Sequence, residues 1–266
     1  MHAIKPPGLV SRLKESRAVF DMGRAGLSIL SGRSAANDEL RARSDAAPIL
    51  LFPGFASDDR ALWPLKTYLR RLGYCVEGWG LGANLAGTNL PHSIDDVHPR
   101  WDISLSNVGA PHEYNGEAGV PLLCDRAIEQ VQQRSEALGQ PVTLVGWSLG
   151  GFIAREVARE LPDAVNRLVT FGAPVIGGPK YTAAASAFKA RGQDLDWIEL
   201  EIAKREKTPI QQPITAIYSK SDGVVAWEAS IDHHSPDVRH IEVDVSHIGM
   251  GFNGEVWHLI AQSLVQ

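Results

Sequence analysis

Three side chains in this sequence could together activate a hydroxyl for attack on a carbonyl: Ser148, Asp222 and His247. A serine hydroxyl is a weak nucleophile at neutral pH. A neutral imidazole must accept its proton, and a carboxylate must hold that imidazole in one tautomer. Ser148 stands in Pro141-Val-Thr-Leu-Val-Gly-Trp-Ser-Leu-Gly-Gly-Phe152. The pattern Gly146-x-Ser148-x-Gly150 alone carries little weight, because 25 Gly and 19 Ser would generate it in about one such chain of six. Its flanks give it weight. Val142, Leu144 and Val145 form a compact apolar run suited to a central strand, and Leu149, Phe152, Ile153, Val157 and Leu161 recur at helical spacing before Pro162. A sharp strand-to-helix turn then falls on Ser148, forcing a strained backbone that lifts the hydroxyl clear.

Attack would create a charged tetrahedral oxygen that needs preorganised backbone N–H donors. Leu149, directly after the nucleophile, supplies one, and Phe55, in the Pro53-Gly54-Phe55 break after the first strand, supplies the second. Asp222 is preferred as the acid over Glu228, Asp232 and Asp237, which come later in the same connection. His247 is preferred over His240, inside a strand, and His258, inside the last helix. His233-His234 beside Asp232 reads as a polar surface loop, since adjacent histidines without a helical i+4 partner or a Cys make a poor metal set. No metal and no cofactor are expected. Trp147 suits the cleft or the core beneath the turn equally, and Trp63, Trp79 and Trp101 are candidates to line a cleft.

The elements that must position these groups alternate. Residues 48–52 read as a strand, 62–72 as a helix closed by Gly73, and 74–79 as a strand. A helix over 121–138, a strand over 142–145, a helix over 149–161 and a strand over 167–171 follow. Strands over 214–218 and 238–243 and a helix over 253–264 complete the series. Such alternation implies a mostly parallel, doubly wound α/β sheet with helices on both faces, with functional groups at the carboxyl ends of its strands. Ser148, Asp222 and His247 each follow a strand. Two segments break the rhythm: a long loop over 80–120 and a small helical lid over 172–212, with helices near 181–190 and 195–206. Ahead of the sheet, Leu9, Leu13, Phe20, Leu27 and Leu30 mark an amphipathic helix, followed by a linker over 31–47. Packing against the body is preferred for that helix over peripheral membrane contact, which stays open. The division expected is 1–47, then one domain over 48–266.

The formal charge of −5 argues against an electrostatic grip on nucleic acid. Hydrophobic residues at 44% and charged ones at 21% are ordinary globular values. Cys75 and Cys124 read as free thiols. The first residues lack the apolar core of a secretory signal and no run of about 18 apolar residues exists, so the expected location is cytoplasmic.

With these residues in view, the chain resembles the α/β-hydrolase superfamily, in particular small lipase- and esterase-like serine hydrolases, over roughly residues 48–264. The matching stretches are Leu51-Phe-Pro-Gly-Phe55, Gly146-Trp-Ser-Leu-Gly150, Phe171-Gly-Ala-Pro174, Ser221-Asp-Gly-Val-Val225 and Ser246-His-Ile-Gly249. The order Ser, Asp, His is that superfamily's order. Two departures stand out: Pro53-Gly54 replaces the usual His-Gly, and the sheet begins at the strand often counted third. The resemblance implies ester hydrolysis through an acyl-enzyme without fixing the substrate; the triad and a lid able to shelter an acyl chain point to a small-molecule ester with an apolar acyl part. Acyltransferases, thioesterases, lactonases and noncatalytic binders share the fold and stay open as alternatives.

Overall fold

The computed structural model describes residues 4–8, 12–13, 15–17, 39–88, 98–101 and 119–265. At its centre six strands lie in the order β2-β1-β3-β4-β5-β6: β1 (Ile49–Phe52), β2 (Val76–Gly78), β3 (Val142–Trp147), β4 (Val165–Phe171), β5 (Ile214–Tyr218) and β6 (Val238–Glu242). Every neighbouring pair is parallel. Parallel neighbours require crossovers, and helices supply most of them. These are α1 (Trp63–Arg71), α2 (Gly119–Leu138), α3 (Leu149–Glu160), and the pair α4 (Ala185–Ala190) and α5 (Leu195–Arg205). Past β6 come α6 (His247–Met250) and α7 (Gly254–Leu264).

Side chains of a strand alternate between faces, so a strand covered on both sides must be apolar throughout. β1 obeys this. Ile49 and Leu51 enter a core with Leu65 and Leu69 of α1 and Val256 and Ile260 of α7. Leu50 and Phe52 enter the opposite core with Ile128 of α2 and Ile153 and Val157 of α3. Leu144 and Val145 of β3 divide in the same way.

The strand order has one consequence for chemistry. The chain leaves β1 toward β2 at one edge, while it leaves β3 toward β4 in the other direction, so the two connections part above the carboxyl ends of β1 and β3. Open α/β sheets hold their ligands in such a crevice. Phe55 and Ser148 are the residues that stand there.

The two helices expected within 172–212 are α4 and α5, preceded by a 3-10 turn over Gly178–Tyr181. Of the expected amphipathic helix, Leu9, Phe20, Leu27 and Leu30 lie outside the described residues, as do 89–97 and 102–118 of the long loop. Within the N-terminal segment a 3-10 turn covers Glu15–Arg17. His247 opens α6, a short helix not among those expected from the sequence, and the Ser246 side chain caps it by accepting from the Gly249 N–H.

Candidate active site

β3 ends at Trp147 and α3 begins at Leu149, leaving a single residue for the turn. Ser148 takes φ 54° and ψ −126°. A non-glycine residue there costs about 1–3 kcal/mol and persists only where its surroundings fix it. They do: the Ser148 N–H donates to the Phe171 carbonyl at 2.9 Å, and its carbonyl accepts from Gly151 at 2.9 Å and Phe152 at 3.2 Å. The framing glycines are steric necessities. A Cβ at Gly146 would lie 2.5 Å from the Gly151 Cα, and one at Gly150 would lie 2.3 Å from the Phe52 carbonyl oxygen.

The structure brings Ser148, His247 and Asp222 together. His247 Nε2 lies 2.9 Å from Ser148 Oγ, and His247 Nδ1 lies 2.7 Å from Asp222 Oδ2. Asp222 Oδ1 accepts from the N–H groups of Val224 and Val225, each at 2.7 Å. The carboxylate is therefore fixed through one oxygen and presents the other to the ring. With Nδ1–H donating to Asp222, Nε2 is left to accept from the serine hydroxyl. Burial works against charging the His247 ring. The Asp222 carboxylate, its hydrogen bond and the more distant Glu15 outweigh that and hold the ring's pKa above the usual histidine value. Trp147 packs 6.0 Å from the ring, centroid to centroid, and a Cβ at Gly172, where φ is +59°, would lie 3.0 Å from Nδ1.

Two of the rival groups, Asp232 and His240, are otherwise engaged. Asp232 takes Arg155 at 2.8 Å and the N–H groups of His234 and Ser235 at 2.8 and 3.0 Å. Burial would raise its pKa, but those partners hold it well below the carboxylate range. The His240 ring accepts from the Asp232 N–H at 3.0 Å. No group of three His, Cys, Asp or Glu able to hold a metal occurs among the described residues.

Beside Ser148 opens a cavity of about 150 Å³, lined chiefly by apolar side chains including Phe55, Trp101, Leu149, Phe152, Trp197 and Val225. Its roof comes from 178–202, with Ala184 and Phe188 among its members. The Gly54-Phe55 turn lies against the serine, since a Cβ at Gly54 would stand 3.3 Å from the Ser148 Cβ. Of the tryptophans, Trp101 lines the cavity. Trp79 packs in the core against Phe52, Trp63 is exposed on α1, and Trp147 lies between Phe171, His247 and Phe252.

Sequence reasoning missed Glu15. Its carboxylate accepts from the N–H of Gly223 at 2.8 Å, of His247 at 2.9 Å and of Ile248 at 3.0 Å. These partners lie more than 200 residues away, and no local motif links them to it.

A family model described as Thioesterase domain matches residues 99–196, a stretch that includes Ser148. Among curated proteins, pimeloyl-[acyl-carrier protein] methyl ester esterase of Methylococcus capsulatus is 29% identical over 109 residues, 41% of this chain and 37% of that protein. Its counterpart from Photobacterium profundum is 26% identical over 121 residues, 46% and 42% of the two chains. This chain thus spans about two fifths of the length of those curated relatives. Among solved structures, monoacylglycerol lipase of Paleococcus ferrophilus superposes with a TM-score of 0.53 at 15% identity, covering 83% of this chain and 96% of that one. The thioesterase domain from the curacin biosynthetic pathway superposes with a TM-score of 0.51 at 13% identity, covering 85% and 93%.

Proposed function

We propose that this chain, an α/β hydrolase by fold, is a serine hydrolase that cleaves carboxylic esters through an acyl-enzyme. One observation carries the reading: a serine held at a strained turn, in hydrogen-bond reach of a histidine that is itself bound to a buried carboxylate, faces an apolar cavity. The acyl part of the substrate occupies that cavity, leaving its carbonyl over Ser148. Oγ attacks the carbonyl carbon while Nε2 of His247 takes the hydroxyl proton, and Asp222 stabilises the imidazolium. The N–H groups of Leu149 and Phe55 receive the negative oxygen of the tetrahedral intermediate. Collapse expels the alcohol, which takes the proton from Nε2. Water then repeats the sequence on the acyl-serine, with His247 again as base, and releases the acid. The free cysteines, Cys75 and Cys124, suit a reducing compartment, and we place the reaction in the cytoplasm.

The test is hydrolysis of p-nitrophenyl acyl esters by the full chain and by Ser148→Ala. The variant should lose about 10⁴-fold or more in kcat and all labelling by a fluorophosphonate probe. Full turnover by Ser148→Ala would sink the reading.

The match to the Thioesterase domain favours a second reading on the same groups, in which the leaving atom is sulfur. The nucleophile, base and cavity serve both. Comparing kcat/KM for an oxygen ester and a thioester of the same acyl chain separates them.

A further inference from the structure

We propose that Glu15, in the turn Glu15–Arg17, is a positioning residue for the reacting groups. The hydrogen bond from His247 to Asp222 joins two separate connections, one leaving β5 and the other leaving β6. Among the described residues β6 is the outermost strand, paired on one side, and no described strand lies beyond it to hold the connection that carries His247. The two connections also meet where Ser221 Oγ donates to Asp244 at 2.5 Å and the Val245 N–H donates to Ser219 Oγ at 3.3 Å; Glu15 adds a tie that reaches His247 itself. One carboxylate oxygen accepts from Gly223, next to Asp222, and also from His247 itself. The other oxygen accepts from Ile248. A clamp from a third part of the chain thus acts on the spacing of acid and base beside those direct bonds.

The segment is seated at a second place. Ile4 packs, as Val224 does, against a small buried cluster containing Val225, and Val224 and Val225 are the two residues whose N–H groups hold the Asp222 carboxylate. The packing of Ile4 thus brings a second residue of the N-terminal segment against the acid turn. Electrically, Asp222 from the β5 connection and Glu15 from the N-terminal segment are the charged groups acting on the ring. The other elements around it present Ser148 and Trp147 from β3 and its turn, and Gly172 with Met250 beside it, all uncharged. Glu15 acts through His247 and touches no reacting atom.

The role rests on reading His247 as the base, but its test need not. In the full chain, His247 is titrated by NMR of its ring protons in wild type, Glu15→Gln and Glu15→Ala, and kcat and KM are measured on a p-nitrophenyl ester. Glu15→Gln should lower the His247 pKa by about half a unit and carry the acid limb of kcat/KM to lower pH by the same amount, because a negative charge near the ring is lost. Glu15→Ala should in addition lower kcat about ten-fold with KM within about two-fold, since the base is displaced rather than the binding cavity altered. Glu15→Asp, which keeps the charge on a shorter stem, should restore the titration but not kcat. An unchanged His247 titration and unchanged kcat in both Gln and Ala variants overturns the proposal. Should the Ala variant fail to fold, the Gln variant alone decides. If no ester is turned over yet the titration moves as stated, the ester-hydrolase reading fails and the hold of Glu15 on His247 stands.

Discussion

His247 is pulled by opposite demands on its charge. As a base it must be neutral before attack, yet Asp222 and Glu15 favour its protonated form. If it acts as proposed, the acid limb of kcat/KM should lie above the ordinary histidine value of about 6.5. A pH–rate profile checks this. Stability runs the other way: a folded-state pKa raised above the unfolded one adds stability fully below about pH 6.5, and that contribution fades as pH rises through the folded pKa. Activity should therefore climb over the pH range in which this stabilisation falls. Asp222→Asn keeps the size of the side chain but lets an amide donate to Nδ1, which places the ring proton on Nε2 facing the serine. We expect kcat to fall about 10³–10⁴-fold, with the fold retained by circular dichroism. Ser148, Asp222 and His247 were legible in the sequence because each lies within a few residues after a strand, where local patterning marks it. Glu15 was not, because its partners are distant along the chain and a lone Glu near an amphipathic stretch reads as a solvated side chain.

At the level of elements, periodicity located the strands and the longer helices near the site to within a few residues, with β5 recovered end to end as Ile214–Tyr218, but not the four-residue α6 that His247 opens. α3 shows where it fell short. Its apolar face of Phe152, Ile153 and Val157 gave it away, but Arg155, Glu156 and Arg159 on the remaining surface are buried as well. A charged residue on a helix ordinarily points to water, so nothing local signals this. They lie against Arg205 at the end of α5, the residues that follow it, Glu206 and Thr208, and Asp232. Arg155 pairs with Glu206 at 3.2 Å and with Asp232 at 2.8 Å, Arg159 with Glu206 at 2.5 Å, and Arg205 with Glu160 at 2.5 Å and with Glu156. This network fastens the helix after the nucleophile to the helix that roofs the cavity. Removing one member strands its partners in a water-poor setting. Arg155→Met should cost about 3–5 kcal/mol in urea unfolding, more than a surface Arg would.

For the whole molecule, the sequence announced an alternating α/β chain but not which strands lie side by side. Pairing between strands far apart in sequence leaves no local trace, so neither the crevice between the ends of β1 and β3 nor the shape of the cavity could be read. That cavity draws on residues from Phe55 to Val225, and its roof comes from segments whose sequences show only turns and short helices. If it receives the acyl chain, its volume should set the preferred length. Ala184→Trp fills the space under the roof. Such a variant should keep acetyl ester hydrolysis within about three-fold while octanoyl ester hydrolysis drops ten-fold or more in kcat/KM, a series read directly from initial rates.

Trp147, wedged against the His247 ring, has an optical consequence. An imidazolium quenches indole emission by accepting an electron, whereas neutral imidazole does so poorly. The difference in emission between the wild type and Trp147→Phe should therefore track the protonation of His247, giving the protein a built-in fluorescent gauge of its own base that needs no substrate and no label.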